Sequence, residues 1–265
     1  MTGITVSVEP RGTLGRVATL TVDNPGKLNI LDPERMAAME RALRGLAEDA
    51  ELRVLVLRGA GRKAFIGGAD IRAMAGLDPG SARAFISGLH RVCDGLRRLP
   101  VPAIARIEGV ALGAGLEVAA ACDMRVAAAG AKFGMPEVKV GIHSVIEAAL
   151  LPQLVGWGRT RQLLFTGETI AAEEAVCWGL VERVVEADGL DAAVDEWVEA
   201  ILAAGPRAIR LQKSLIRQWE ELAVSAAIRR GIDTFAEAYT TTEPRERMAA
   251  FLRRRVLEKR IPGIR

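Results

Sequence analysis

Arg106-Ile107-Glu108-Gly109-Val110-Ala111-Leu112-Gly113-Ala114-Gly115-Leu116-Glu117, continuing to Gly134-Met135-Pro136-Glu137, is the stretch on which the reading of this chain turns. Ala103-Ile104-Ala105-Arg106-Ile107 reads as an apolar strand, and Leu116 to Cys122 reads as a helix. Small residues at a strand-to-helix junction let a ligand approach bare backbone. The first N–H groups of the helix have no intrahelical partner. Glu117 falls in the first turn of that helix, and Glu137 follows a turn made by Gly134 and Pro136. Two carboxylates beside oriented amides point to proton transfer at a carbonyl compound, with the amides holding the charge that develops on oxygen. Close packing at a helix start, with a glutamate as dipole partner, accounts for the same residues without any chemistry. A short motif needs its structural context before it carries a function, so the surroundings decide between the two.

The 265 residues suffice for one large domain with an extension or for two small ones. Half of the residues are hydrophobic but only 4% are aromatic, so the interior relies on close helix and strand contacts rather than large rings. Lysine and arginine total 36 against 33 acidic residues, a net charge of +3. That small, dispersed excess is weak support for nucleic-acid binding, and the run Arg253-Arg254-Arg255 reads as a solvated stretch of a terminal helix. A modest positive field also suits a nucleotide-bearing ligand. Cys93, Cys122 and Cys177 are too few and too widely spaced for a disulfide framework or a metal cage, and a reducing, cytoplasmic setting is expected. With only His90 and His143 in the chain, no metal site is expected. The start, from Met1 to Glu9, alternates like a strand and lacks a signal-peptide pattern. The most apolar region, 103–124, is interrupted by Arg106, Glu108, Glu117 and Asp123, which argues against a membrane span.

Outward from the central stretch, strand, loop and helix recur. Thr5 to Val8 and Val17 to Val22 form a hairpin around Pro10 to Gly15, and Asp32-Pro33-Glu34 opens a helix that reaches Glu48. Leu52 to Arg58 reads as a buried strand. The loop Ala64-Phe65-Ile66-Gly67-Gly68-Ala69-Asp70-Ile71 follows, with Asp70 as a cap. A helix from Ser81 to Leu99 ends at Pro100, and Asp123 to Ala128 is a further strand. Helical stretches at 146–155 and 171–178, with a short strand at 180–185, continue the alternation, which indicates an α/β domain. After Asp191 the pattern becomes helical, with segments at 207–230, 232–238 and 245–257. Leu211, Leu215, Ile216, Trp219 and Leu222 mark one packed face, serving core or subunit contact. The division expected is a catalytic core, 1–190, and a helical region, 191–265.

With the Ile66-to-Ile71 loop and the Glu117/Glu137 stretch both in view, the chain resembles the enoyl-CoA hydratase/isomerase (crotonase) family. Further matching motifs are Asn24-Pro25, Leu28-Asn29, Phe133-Gly134-Met135-Pro136-Glu137, Thr166-Gly167-Glu168 and Gly179-Leu180-Val181. The resemblance implies an α/β, crotonase-like spiral of repeated ββα units with a C-terminal helical trimerisation region, assembled as a homotrimer or a dimer of trimers. It implies hydration of a 2-enoyl-CoA to a 3-hydroxyacyl-CoA, with no cofactor beyond the coenzyme A of the substrate. Carried over residue by residue, the catalytic acid/base pair falls on Glu117 and Glu137, with Glu117 as base and Glu137 as acid. The two oxyanion-hole N–H groups fall on Ala69 and Ala114, and CoA contacts fall on Leu28, Gly67, Ala69, Asp70 and Ile71. Lys27 is either a phosphate partner or an exposed turn lysine.

The chain departs from that pattern in one place above all. Common hydratases follow the second glutamate with a turn of the type Pro-Gly-x-Gly-Gly-Thr, whereas here the chain reads Gly141-Ile142-His143-Ser144-Val145-Ile146-Glu147-Ala148. His143 and Glu147 are read either as contacts to a polar acyl group or as structural residues, with Glu147 in a salt bridge. Ala114 replaces a glycine, which is tolerable where φ is negative. Double-bond isomerisation, or hydration of an unusual acyl chain, is the alternative chemistry. A non-catalytic CoA- or RNA-binding relative is a third reading, opposed by the two retained glutamates and the absence of a concentrated basic patch.

Overall fold

The structure, a computed structural model, describes residues 3–260, with side chains as far as Arg253. The side chains of Arg254 and Arg255, the rest of the basic run, lie outside the described residues. The chain divides into two compact units between Ala200 and Ile201.

In the first unit the elements follow one another as β1 (Ile4–Pro10), β2 (Arg16–Val22), α1 (Pro33–Ala47), β3 (Leu52–Gly59), β4 (Ala64–Ile66), α2 (Ile71–Met74), α3 (Pro79–Arg98), β5 (Ala103–Ile107), β6 (Val110–Leu112), α4 (Ala114–Ala121), β7 (Met124–Ala128), β8 (Lys132–Gly134), α5 (Leu151–Thr166), β9 (Thr169–Ala171), α6 (Ala172–Trp178) and β10 (Arg183–Val185), and the division falls within the last turn of α7 (Leu190–Ala203). The longer strands build a six-stranded sheet in the order β1-β2-β3-β5-β7-β10. The β1/β2 hairpin is antiparallel, as its sequence pattern requires, and the other pairings are parallel. The short strands form a second sheet, β4-β6-β8-β9, parallel except for β9. Each repeat therefore lays a long strand in one sheet and a short strand in the other before its helix, as in β3-β4-α2-α3 and β5-β6-α4.

Local chemistry sets the element ends. Asp32 caps α1 by accepting from the Arg35 N–H, with Pro33 at the first helical position. Asp78 and Ser81 form a reciprocal capping box, so α3 begins at Pro79, before Ser81. Helices α1 and α3 pack on each other and direct Met39, Leu43, Leu89 and Leu96 into the core. Their neighbours there include Leu20, Leu55, Leu57, Phe65 and Phe133, and burying each such side chain contributes about 1.5–3 kcal/mol.

Several expectations are corrected. The strand at 103–107 does not run straight into the helix, because β6 intervenes in the second sheet. The turn expected at Gly134 and Pro136 is divided between the end of β8, at Gly134, and a 3-10 turn over Pro136–Val140 that contains Glu137. The helix expected to end at Val155 continues to Thr166 through a break at Gly156, whose φ of 78° is non-helical. In the second unit, α8 (Pro206–Trp219) and α9 (Val224–Ala238) divide at 220–223 and not at Gly231, and α10 spans Glu243–Arg260. Of the expected packed face, Leu215 is buried, whereas Ile216, Trp219 and Leu222 are exposed. No helix among the described residues is long and apolar enough to cross a membrane.

Candidate active site

Because β4, β6 and β8 run parallel, their C-terminal ends lie at one edge of the second sheet. That edge receives the 67–70 loop, the 113–117 helix start and the 135–137 turn, so three stretches far apart in sequence meet where open α/β sheets characteristically place ligands.

The 67–70 loop is held by backbone. Leu31 donates its N–H to the Gly68 carbonyl at 2.9 Å and accepts from the Asp70 N–H at 2.8 Å. In this parallel bridge between Leu31 and Ala69, the N–H of Ala69 itself points away from Leu31. It has no backbone acceptor among the described residues. Gly67 donates to the Leu28 carbonyl at 2.8 Å, and Asp70 caps α2 through the Arg72 N–H. Leu28 and Asn29 both have left-handed backbone, φ 54° and 55°, a strain of about 1–3 kcal/mol each for residues other than glycine. The fully buried Asn29 side chain offsets that strain. It donates to the carbonyls of Ala60 and Ala64 at 3.0 and 2.7 Å and accepts from the Asn24 N–H at 2.9 Å. Asn29 is thus a latch for the Leu28 loop. Leu28 and Ile71 themselves are exposed, as is Lys27.

The second amide comes from α4. Ala114 is the first helical residue, φ there is not positive, and its N–H has no acceptor among the described residues. Gly113 precedes it with φ 51°, and a Cβ at that position would lie 2.5 Å from Oε1 of Glu137. The Glu137 carboxylate therefore sits directly over the start of the helix. At Gly115 a Cβ would meet the Ile66 carbonyl at 2.0 Å, so only glycine lets α4 approach β4 this closely.

The structure brings Glu117 and Glu137 into electrostatic contact but gives them different surroundings. Glu117 is buried at 4% exposure and accepts one hydrogen bond, from the Ala148 N–H at 3.2 Å. Burial pushes its carboxyl up to about 8 against the Ala148 hydrogen bond, and the charges of Glu137 and Glu147 add to the rise. Glu137 is half-buried and accepts from the Ser144 hydroxyl at 2.9 Å.

A third carboxyl lies beside them. Glu147 is as buried as Glu117, and its Oε1 pairs with Nδ1 of His90, on α3, at 2.9 Å. Burial raises its carboxyl above the usual range, opposed by His90, the Cys93 thiol and Arg97. Burial and the charges of Glu147 and Glu117 push the Cys93 thiol up in turn. Of the two readings of Glu147, the structure shows the structural one, with its carboxyl hydrogen-bonded to the His90 ring; His143 is exposed. Ile146, just before Glu147, has φ 39°, an outlier for a β-branched residue. Ser144 and His90 were not singled out as site residues by the motifs. Ser144 lies within the departing segment, but 57 positions separate His90 from Glu147, and no spacing pattern links them.

The sequence matches the enoyl-CoA hydratase/isomerase family over residues 13–259. The chain belongs to that family. It is similar to a short-chain-enoyl-CoA hydratase of Clostridium acetobutylicum, 35% identical over 92% of this chain and 94% of that one. It is equally similar, at 35% identity, to a crotonyl-CoA hydratase of Syntrophomonas wolfei, over 91% of this chain and 93% of that one. The crystal structure of an enoyl-CoA hydratase from Mycobacterium smegmatis superposes with a TM-score of 0.90 at 31% identity, covering 95% of this chain and 96% of that one. The expected crotonase-like fold and the expected enoyl-CoA hydratase class of enzyme both follow from these findings.

Proposed function

We propose that the protein hydrates a 2-enoyl-CoA to a 3-hydroxyacyl-CoA, using Glu117 and Glu137 as a joint acid/base pair and the N–H groups of Ala69 and Ala114 as an oxyanion hole. The observation that carries this reading is the meeting, at one sheet edge, of two unengaged amides and two carboxyls. The oxygen of water bonds to Cβ and the π electrons move toward the thioester carbonyl, whose oxygen takes up charge facing the two amides. One such amide is worth about 3 kcal/mol of transition-state stabilisation. Meanwhile Cα receives a proton and the water gives one up, so the pair needs one carboxyl and one carboxylate at the start. At neutral pH Glu117, pushed up to about 8, carries a proton in the free site. The assignment of Glu117 as base and Glu137 as acid then applies after substrate has redistributed that proton between the two carboxyls.

The thioester's CoA portion is assigned to the path along Leu28, Gly67, Ala69, Asp70 and Ile71, where backbone groups and exposed apolar side chains adjoin the amide of Ala69. Neither a metal nor a redox cofactor takes part in the proposed reaction, and a cytoplasmic location accords with its soluble thioester substrate. Assembly as a trimer or a dimer of trimers is supported by the exposed apolar side chains of Trp219, Leu222, Val224, Ile228, Ile232 and Phe235 on α8, α9 and their connection. Light scattering tests that assembly, and a monomer at micromolar concentration would exclude it.

The decisive experiment is turnover of crotonyl-CoA by the protein, Glu117→Gln and Glu137→Gln. Loss of about 10²–10⁴-fold in kcat/KM in each variant is expected. Variants as fast as the parent would refute the acid/base pair. A screen across short, branched and aromatic enoyl-CoAs, with products identified by mass and chiral chromatography, separates hydration from double-bond isomerisation.

A further inference from the structure

The turn Ile146–Leu150 packs on both α3 and α4, and two successive residues of it face the two helices differently. Glu147 reaches α3 through its hydrogen bond to His90, and Ala148 reaches α4 through its N–H to Oε1 of Glu117. The peptide that carries the Ala148 N–H is thus tethered by the side chain immediately before it. Its backbone is also held off its relaxed geometry, with Ile146 at φ 39°, so something must pin it. The side chain of Glu147 ties this turn to α3, through its hydrogen bond with Nδ1 of His90 and through the Cys93 thiol. Oε2 of Glu147 has no hydrogen-bond donor among the described residues, which leaves the charge of this carboxyl incompletely compensated in a buried setting.

We propose that His90 and Glu147 are positioning residues for Glu117: by tethering the 146–150 turn to α3 they aim the Ala148 N–H at one oxygen of Glu117, leaving the other for the reacting water. The inference rests on the reading of Glu117 as a proton-transfer group. Glu147 also acts on Glu117 through its field. The groups that bear on Glu147 are His90, Cys93 and Arg97 from α3 and Glu117 from α4. Glu117 is acted on by burial and by the charges of Glu137 and Glu147, with the Ala148 N–H opposing them. Removing the charge of Glu147 while keeping its shape removes one of the influences that hold the proton on Glu117.

The test compares Glu147→Gln, Glu147→Ala, His90→Ala and His90→Gln in the full-length protein. His90→Ala and Glu147→Ala untether the turn and are expected to lower kcat by about 10–100-fold with KM changed less than about threefold, the pattern of a misaimed catalytic group. His90→Gln retains a side-chain donor and is expected to recover most of the kcat lost in His90→Ala. Glu147→Gln keeps an acceptor for His90 and is expected to move the limb of the pH–rate profile that belongs to Glu117 to lower pH. Independently of turnover, infrared titration of the Glu117 carboxyl, read as the difference from Glu117→Gln, is expected to show a lower midpoint in Glu147→Gln than in the parent. The inference is overturned if His90→Ala and Glu147→Ala keep the parent's kcat, if His90→Gln is no better than His90→Ala, or if the infrared midpoint does not move. If Glu117→Gln turns over enoyl-CoA like the parent, the functional reading fails. The infrared midpoint then still decides whether Glu147 acts on Glu117.

Discussion

A buried carboxyl that holds its proton is a cost to the fold at high pH, and for Glu117 the cost can be stated. Its carboxyl moves from 4.5 to about 8, chiefly because burial disfavours the charged form. Each unit of such a shift corresponds to about 1.4 kcal/mol, so ionising Glu117 in the folded protein costs up to about 5 kcal/mol. The sign follows from proton binding. Below 4.5 the side chain is protonated in both folded and unfolded chains and contributes nothing. Between 4.5 and about 8 the folded protein holds a proton that the unfolded chain has released, so stability falls as pH rises. Above that window the loss is complete and constant. Glu117→Gln is neutral in both states and escapes the loss. The variant should therefore gain on the parent, between about pH 5 and about pH 9, by several kcal/mol, up to about 5. Equilibrium urea unfolding of both proteins across that range, at one fixed protein concentration because assembly shifts apparent stability, measures the difference. Stability curves that stay parallel across the window would refute the reasoning. A variant more stable than the parent at alkaline pH and deficient in turnover would identify Glu117 as a group retained for function at the expense of the fold.

Other substitutions probe the supports of the site. Gly113→Ala places a methyl 2.5 Å from Oε1 of Glu137 at φ 51°, and should cost about 1–3 kcal/mol in thermal or urea unfolding while displacing Glu137 and lowering kcat. Ser144→Ala removes the hydroxyl that donates to Glu137, and a fall in kcat of roughly tenfold, with a loss of stability of about 1 kcal/mol, is expected for the loss of one partly exposed hydrogen bond. Asn29→Ala strips the carbonyls of Ala60 and Ala64 of their side-chain donor and relaxes the Leu28 loop. Unfolding should show a loss of about 2–4 kcal/mol, and steady-state kinetics a raised KM for the thioester.

The alternation of strand and helix was legible wherever an element was long enough to show a period. Leu52 to Arg58 carries the apolar run Val54-Leu55-Val56-Leu57 because β3 is buried along nearly all its length, and α3 announces itself by its amphipathic spacing and its Pro100 stop. The strands β4, β6 and β8 were not legible, because three residues do not complete a pattern. The break between α8 and α9 contains neither glycine nor proline, while Gly231, the expected breaker, sits inside α9. Propensity alone therefore placed that boundary wrongly.

For the site, local order in the chain was enough to mark Glu117, Glu137 and the two glycine-bearing loops. Each lies where a strand gives way to a turn or helix, and backbone chemistry at such junctions is a property of adjacent residues. Their convergence depends on the parallel pairing of β4, β6 and β8, which no adjacent residues encode. The raised carboxyl of Glu117 and the tether from His90 through Glu147 to the turn bearing Ala148 likewise exist only in three dimensions. Burial and charge proximity are sums over residues brought together from distant parts of the chain, whereas a motif records only its immediate neighbours.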